Sequence, residues 1–135
     1  MITGHLHFGH GEHQIRNGND LTGKIPTELG LLSSLTFLSL GPNRLTGKLP
    51  TEFGFLKNLF SLSLSNNKFT GTLPTETWNL TSLNYLDLSS NTFKAINNTT
   101  RSFGNLNTLY PSPGDKAQSI GLRCSTNRGN VFSCN

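Results

Sequence analysis

The sequence predicts an α/β repeat fold, a solenoid of stacked coils in which each coil contributes one short strand. Asparagines recur at a constant interval, at Asn19, Asn43, Asn67 and Asn91. Before the last three of them leucines alternate with other residues, and a period of two is typical of a strand with one buried face. Columns of Gly and Pro between these strands provide turns and interrupt longer helices. Together these features favour short elements stacked coil on coil.

The interval from Asn19 to Asn43, the repeat interval, governs most other positions as well. Such periodicity indicates coils that bury their apolar residues against neighbouring coils, and accommodates a hydrophobic share of only 33%. The columns are Leu21, Leu45, Phe69 and Phe93; Gly23, Gly47 and Gly71; Pro26, Pro50 and Pro74; Glu28, Glu52 and Glu76; Leu38, Leu62 and Leu86; and Leu40, Leu64 and Leu88.

The recurring asparagine follows its strand at a corner of the coil. There an inward amide side chain can hydrogen-bond backbone groups of the turn and of the next coil, because an amide both donates and accepts. Stacked copies therefore predict a buried ladder made by Asn19, Asn43, Asn67 and Asn91.

The segment from Leu35 to Ser82 follows the pattern LxxLxLxxNxLxGxIPxxLGxLxx and resembles the plant-type leucine-rich repeat. The resemblance is clear from Asn19 to Phe93. It implies a right-handed, curved solenoid with a short parallel sheet on its concave side and an irregular or short-helical convex side. It extends to the ectodomains of leucine-rich-repeat receptor-like kinases and to polygalacturonase-inhibiting proteins, and so implies protein recognition.

We divide the chain into a degenerate N-terminal coil or cap at 1–18, leucine-rich repeats at 19–109 and a C-terminal cap at 110–135. The fourth repeat carries two inserted residues. The N-terminus lacks the cysteine-containing cap common in secreted members of the family. Since an uncapped coil exposes its apolar face, this end is a candidate site of self-association.

The two cysteines, Cys124 and Cys134, lie close together near the C-terminus. A disulfide between them would close a small loop, add about 2–3 kcal/mol of stability and favour an oxidising compartment. Residues 1–10 lack the apolar core of a signal peptide. We therefore expect an extracellular or cell-surface protein present as a processed or truncated chain, with a cytoplasmic location as the alternative. In a secreted chain Asn79, Asn97 and Asn98 would be candidate glycosylation sites.

The residues beside the inward leucines form the candidate ligand-binding surface on the concave sheet. Exposed aromatic groups next to small hydroxyl residues suit a protein or peptide ligand, although they could instead pack laterally on one another. The candidates are Phe37, Ser39, Phe60, Ser61, Ser63, Tyr85 and Asp87.

The sequence gives little support to other functional classes. The net charge of +4 comes from scattered residues, which disfavours a nucleic-acid partner, and no apolar stretch is long enough to span a membrane. His5, His7, His10 and His13 match no familiar metal spacing, so we expect neither a metal nor a cofactor. No nucleophile motif or phosphate-binding glycine loop occurs, so we expect no enzyme.

The sequence thus predicts a non-catalytic binding module, either receptor-ectodomain-like or a secreted inhibitor. Two alternatives stay open. The repeated Thr and Glu columns of the convex side could form an ordered ice-binding surface, as in an antifreeze protein. The short array could also be a structural repeat fragment with no independent activity.

Overall fold

A computed structural model describes residues 20–94 continuously, together with five short segments outside that range. These segments are strands at 7–8, 14–16, 108–110, 124–127 and 131–134.

Among the described residues, the concave sheet contains six strands. In their order across the sheet they are β1 (His7–Phe8), β2 (Gln14–Arg16), β4 (Phe37–Ser39), β6 (Ser61–Ser63), β8 (Tyr85–Asp87) and β10 (Thr108–Tyr110). All neighbours are parallel except β1 and β2, which pair antiparallel. In β4, β6 and β8 the middle residue is a buried leucine and the residues on either side point to the opposite face, as the predicted alternation requires.

The opposite side of each coil carries a second strand followed by a single turn of 3₁₀ helix. A proline ends the extended segment before each helix, and with its fixed φ and missing N–H it suits the start of a helical turn. The four parallel strands are β3 (Thr22–Gly23), β5 (Arg44–Gly47), β7 (Lys68–Gly71) and β9 (Thr92–Phe93), and the helices are η1 (Thr27–Leu31), η2 (Thr51–Phe55) and η3 (Thr75–Asn79).

The core lies between these two sides and runs without interruption along residues 20–94. It is built from the repeating apolar columns; Leu64, for example, has no exposed surface. Trp78 stands in the column of Gly30 and Gly54 and is only 7% exposed, so it belongs to the core and not to the convex surface. Full burial of one leucine or phenylalanine side chain stabilises the fold by about 1.5–3 kcal/mol.

The N-terminal strands continue the concave sheet. Ile15 of β2 pairs with Leu38 and Arg16 pairs with Ser39, an offset one position shorter than the repeat interval. The repeat interval would place Arg16 in the column of Leu40, and that extrapolation is wrong for this coil. The strand pairing therefore sets Arg16 in register with Ser39 instead of Leu40.

Two further strands lie in the C-terminal part of the chain. Strands β11 (Cys124–Asn127) and β12 (Val131–Cys134) form an antiparallel pair in which Cys124 is opposite Cys134. Directly opposite residues have Cα atoms about 4.5–5.5 Å apart, within the range that a disulfide spans. The backbone register is therefore compatible with the proposed bond.

Glycines are required at two kinds of position in the coil. Gly47 and Gly71 have φ values of 85° and 80°, a region that side chains strongly disfavour. At Gly54 the need is space, since a Cβ there would lie 2.6 Å from the carbonyl oxygen of Glu76 in the next coil. Successive 3₁₀ helices approach each other closely because this position has no side chain.

Candidate functional site

The concave sheet presents two outward rows of side chains that cross the strands. The strand register aligns Phe37 with Ser61 and Tyr85 in the first row. It aligns Ser39, Ser63 and Asp87 in the second row. Six of the seven predicted ligand-binding residues therefore share one face, and the seventh, Phe60, immediately precedes β6.

Two of the aromatic residues are in direct contact. The rings of Phe37 and Phe60 have centroids 5.9 Å apart and planes inclined by 57°. The backbone brings them together, because the N–H groups of Phe60 and Ser61 both donate to the Thr36 carbonyl oxygen, at 2.8 and 3.1 Å. Phe37 is nevertheless 37% exposed and Phe60 46% exposed. The rings thus pack laterally and still offer an apolar surface to solvent.

Tyr85 lies apart from this pair in its row. Ser61 occupies the intervening strand, so two strand spacings, about 10 Å, separate the positions of Tyr85 and Phe37. The face therefore contains a phenylalanine pair and a separate half-buried tyrosine.

The second row is polar, and two of its three side chains contact residues that follow their own strands. The Oγ atoms of Ser63 and Ser65 are 3.3 Å apart. Asp87 Oδ1 accepts hydrogen bonds from the backbone N–H of Ser89 at 3.0 Å and from its hydroxyl at 2.6 Å. The carboxylate is thus fixed in place through one oxygen.

Next to this face, the asparagine side chains bind the corners of the coils. Asn67 is buried; its Oδ1 accepts from the Leu45 N–H at 2.9 Å. Its Nδ2 lies 2.9 Å from the Leu40 carbonyl oxygen, 3.2 Å from that of Leu64 and 3.1 Å from that of Ser65. One side chain therefore satisfies backbone groups of two coils.

Asn43 and Asn91 occupy the equivalent corners. Asn43 Oδ1 accepts from the Leu21 N–H at 2.9 Å, and Asn91 Oδ1 accepts from the Phe69 N–H at 3.0 Å. Asn91 Nδ2 donates to the Leu64 carbonyl oxygen at 2.8 Å. The ladder is thus continuous through the three described copies.

The direction of these bonds differs from the expectation. The sequence predicted contacts with the next coil, but each described asparagine accepts from a residue 22 positions earlier, in the preceding coil. In the preceding coil, the donor residue stands two positions after the asparagine position. The chain has turned the corner there, and the backbone N–H of the donor residue faces the following coil. Asn19 lies outside the described residues.

On the convex side the Thr and Glu columns bond within each coil. The hydroxyls of Thr27, Thr51 and Thr75 each donate to the carboxylate of the following glutamate, at 3.2–3.3 Å. Each threonine thus brings a carboxylate beside its hydroxyl. This charged arrangement gives no support to an ice-binding surface.

The candidate glycosylation site Asn79 is exposed at the last residue of η3. Its carbonyl oxygen accepts from the Thr81 N–H at 2.9 Å and from Lys57 Nζ at 3.2 Å, so the backbone of the Asn79-Leu80-Thr81 triplet forms a tight turn. Asn97 and Asn98 lie outside the described residues.

Sequence reasoning missed an exposed apolar pair in this same column. Leu31 and Phe55, the last residues of η1 and η2, are 75% and 60% exposed. The signal was available, since the third member of the column is the polar Asn79, and a column that mixes apolar residues with asparagine indicates a position outside the apolar core.

Metal and membrane sites are also absent from the part of the chain that is described. Residues 20–94 contain no group of three His, Cys, Asp or Glu side chains that could hold a metal ion. None of the helices found there is long and apolar enough to cross a membrane. The histidine cluster falls outside the residues whose side chains are described.

Comparison with known proteins places the repeats in a family. The family model described as leucine rich repeat matches residues 33–93. The comparison with curated proteins gave no match.

Solved structures with the same fold include several plant receptors. A chain from a plant peptide hormone receptor, RGFR1 in complex with RGF2, is 38% identical with a TM-score of 0.67, and the match covers 70% of this chain and 15% of that one. A chain of the BIR3–SERK2 complex from Arabidopsis thaliana is 30% identical with a TM-score of 0.62, covering 78% and 58%. A chain of the Arabidopsis receptor kinase HAESA complex with the peptide hormone IDA and the co-receptor SERK1 is 32% identical with a TM-score of 0.64, covering 67% and 15%. The protein thus spans 15–58% of the length of these three chains.

Proposed function

We propose that this chain, a leucine-rich-repeat protein similar to plant receptor ectodomains, is an extracellular, non-catalytic recognition module. It binds a protein or peptide ligand on its concave sheet. The observation that carries this proposal is the exposed Phe37–Phe60 pair beside the polar row of Ser39, Ser63 and Asp87. Aromatic side chains that remain exposed in the free protein are typical anchors of a protein interface.

The comparisons support a peptide or protein as the ligand class. Of the similar structures named above, one is a peptide hormone receptor in complex with RGF2 and one includes the peptide hormone IDA and a co-receptor. The third is the BIR3–SERK2 complex. An extracellular location is supported by the same likeness to receptor ectodomains and by the register that sets Cys124 opposite Cys134.

The proposal is tested by affinity capture from an extracellular plant extract with three forms of the protein. The first is the natural chain and the second replaces Phe37 and Phe60 by Ala. The third replaces Leu31 and Phe55 by Ala, which removes apolar side chains that are more exposed than the phenylalanine pair from the ends of the 3₁₀ helices. We expect a partner that is retained by the natural chain and the third form and lost from the second.

The outcomes separate the candidate surfaces. A partner lost only with Leu31 and Phe55 would move recognition to the ends of the 3₁₀ helices and overturn the concave site. A captured wall-degrading hydrolase that the protein inhibits would identify the inhibitor type of module, and a captured peptide or receptor would identify the receptor type. Capture of nothing by any form would contradict the proposal.

A further inference from the structure

Two exposed apolar side chains on the convex side form a line with the candidate glycosylation site. Leu31, Phe55 and Asn79 each end a 3₁₀ helix, and the carbonyl oxygen of each accepts from the N–H two residues later, at 2.8–2.9 Å. The backbone therefore has the same form at all three residues, and their side chains leave the coils in the same direction. All three residues are exposed.

The coils that carry these residues are in close contact. Strands β5 and β7, which precede η2 and η3, are paired, so their coils lie one strand spacing, about 4.8 Å, apart. The helices themselves touch, because a Cβ at Gly54 would lie 2.6 Å from the carbonyl oxygen of Glu76. Phe55 is thus the next side chain along the line from Asn79, and Leu31 follows one coil further.

The apolar pair offers a surface that suits a sugar. Phe55 remains 60% exposed and Leu31 75% exposed, and removing such apolar surface from water is favourable. The face of an aromatic ring carries partial negative charge and attracts C–H groups, which line the apolar face of a sugar ring. A sugar attached to Asn79 therefore finds an aromatic ring one coil away and an aliphatic side chain behind it.

We propose that an N-linked glycan on Asn79 lies back over the convex side, with its first N-acetylglucosamine packed on the Phe55 ring and the next sugar directed toward Leu31. The attachment joins Asn79 Nδ2, which loses one proton, to the anomeric carbon of a lipid-linked oligosaccharide donor. The bond from that carbon to the diphosphate of the donor breaks, and the lipid diphosphate leaves. This inference rests on the extracellular location in the proposed function.

The attachment residue is held toward the preceding coil. Lys57, two residues after Phe55, donates from Nζ to the Asn79 carbonyl oxygen at 3.2 Å. With the glycan in place the apolar pair on the convex side is covered. The Phe37–Phe60 pair on the concave sheet then remains as the exposed aromatic surface for a ligand.

The test compares the melting temperatures of variants secreted from one eukaryotic host, with mass spectrometry to identify the glycan. The variants are Asn79→Gln, Phe55→Ala and the two combined, so any glycan elsewhere on the chain is common to all. The natural chain should melt about 2–5 °C above Asn79→Gln. In the Phe55→Ala background, loss of the glycan should lower the melting temperature by about 1 °C or less, because the sugar has already lost its ring.

Two further variants are matched controls, and NMR supplies a second readout. Phe55→Tyr retains an aromatic ring and should retain the full effect of the glycan. Phe60→Ala removes an exposed ring from the concave sheet and should also leave that effect unchanged. In the natural chain with an isotopically labelled glycan, the Phe55 ring should shift sugar C–H protons upfield, and Phe55→Ala should abolish this shift.

Several outcomes would overturn the inference. They are an unmodified Asn79, a glycan effect of equal size with and without the Phe55 ring, or sugar signals that Phe55→Ala leaves unchanged. A natural chain that dimerises in gel filtration and becomes monomeric as Phe55→Ala would also overturn it, since a second copy would then cover the pair. None of these measurements uses a ligand. Failure of concave recognition shows separately, as affinity capture that is insensitive to Phe37 and Phe60.

Discussion

The same type of side chain plays two different parts in this molecule, depending on its burial. Asn67 and Asn58 both hydrogen-bond a carbonyl oxygen of the preceding coil, at 2.9 Å from Leu40 and 3.0 Å from Ser33. Asn67 is buried and also receives the Leu45 N–H, whereas Asn58 is exposed. Water can replace the contacts of Asn58 but cannot reach the groups around Asn67.

This difference predicts unequal costs of substitution. Asn67→Ala should lower the free energy of unfolding by about 3 kcal/mol, because a buried N–H and buried carbonyl oxygens lose their partner. Asn58→Ala should cost less than about 1 kcal/mol. Urea unfolding followed by circular dichroism measures both. Equal losses in the two variants would show that the ladder contributes no more than a surface contact.

A second prediction at this scale concerns modification of Asn79. When the chain is secreted from a eukaryotic host, we expect a glycan at this exposed residue, because the triplet Asn79-Leu80-Thr81 has the acceptor pattern. Thr81→Val should remove the glycan and Thr81→Ser should retain it. Mass spectrometry of the peptide containing Asn79 gives the answer, and an unmodified Asn79 in the natural chain would refute it.

At the scale of the elements, the coils are spaced by the smallest residues in the convex layer. Helices η1 and η2 approach the next coil at Gly30 and Gly54, where an added Cβ would lie 2.5 and 2.6 Å from a glutamate carbonyl oxygen. An added methyl group would collide with backbone atoms of the next coil, and these atoms can move only if the stacked 3₁₀ helices separate. The second sheet on the same side, from β3 to β9, depends on this spacing.

Gly54→Ala should therefore destabilise the protein by about 1–3 kcal/mol, the usual cost of overpacking. Alanine is the better residue for helices in general, so propensity alone predicts the opposite sign. The exposed Thr72→Ala, in the loop between β7 and η3, serves as the control and should change stability by less than about 0.5 kcal/mol. Thermal melting of the two variants decides between packing and propensity.

At the scale of the whole molecule, the sequence predicted the features that repeat. The constant repeat interval located the strands around Leu38, Leu62 and Leu86 and the inward asparagines, because every coil repeats the same interactions. The prediction from the repeat interval failed at the N-terminal coil, where Arg16 pairs with Ser39 at a shorter offset. This offset arises from strand pairing and cannot be seen in the aligned sequence columns. It left open whether the exposed aromatic residues pack laterally on one another, and the contact between Phe37 and Phe60 answers that question.

The N-terminal strands carry a prediction for the intact chain. Strand β2 covers the edge of β4, and the short antiparallel β1 in turn covers β2. Deletion of residues 1–18 should expose the hydrogen-bonding groups of β4 and cause self-association that increases with concentration. Deletion of residues 1–6, which keeps both strands, should behave like the full chain. Light scattering coupled to gel filtration compares the three, and a monomeric first deletion would contradict this protective role.

The backward direction of the asparagine bonds has a consequence for synthesis on the ribosome. The N–H groups of Leu45 and Phe69 donate to Asn67 and Asn91, which are each translated 22 residues later. Each corner therefore acquires its side-chain partner only when the asparagine of the following coil has been made. The most recently made coil is always the incomplete one, and the growing chain is finished from its N-terminal end. A ribosome that pauses within a repeat therefore leaves one corner unsatisfied while all earlier corners are already closed.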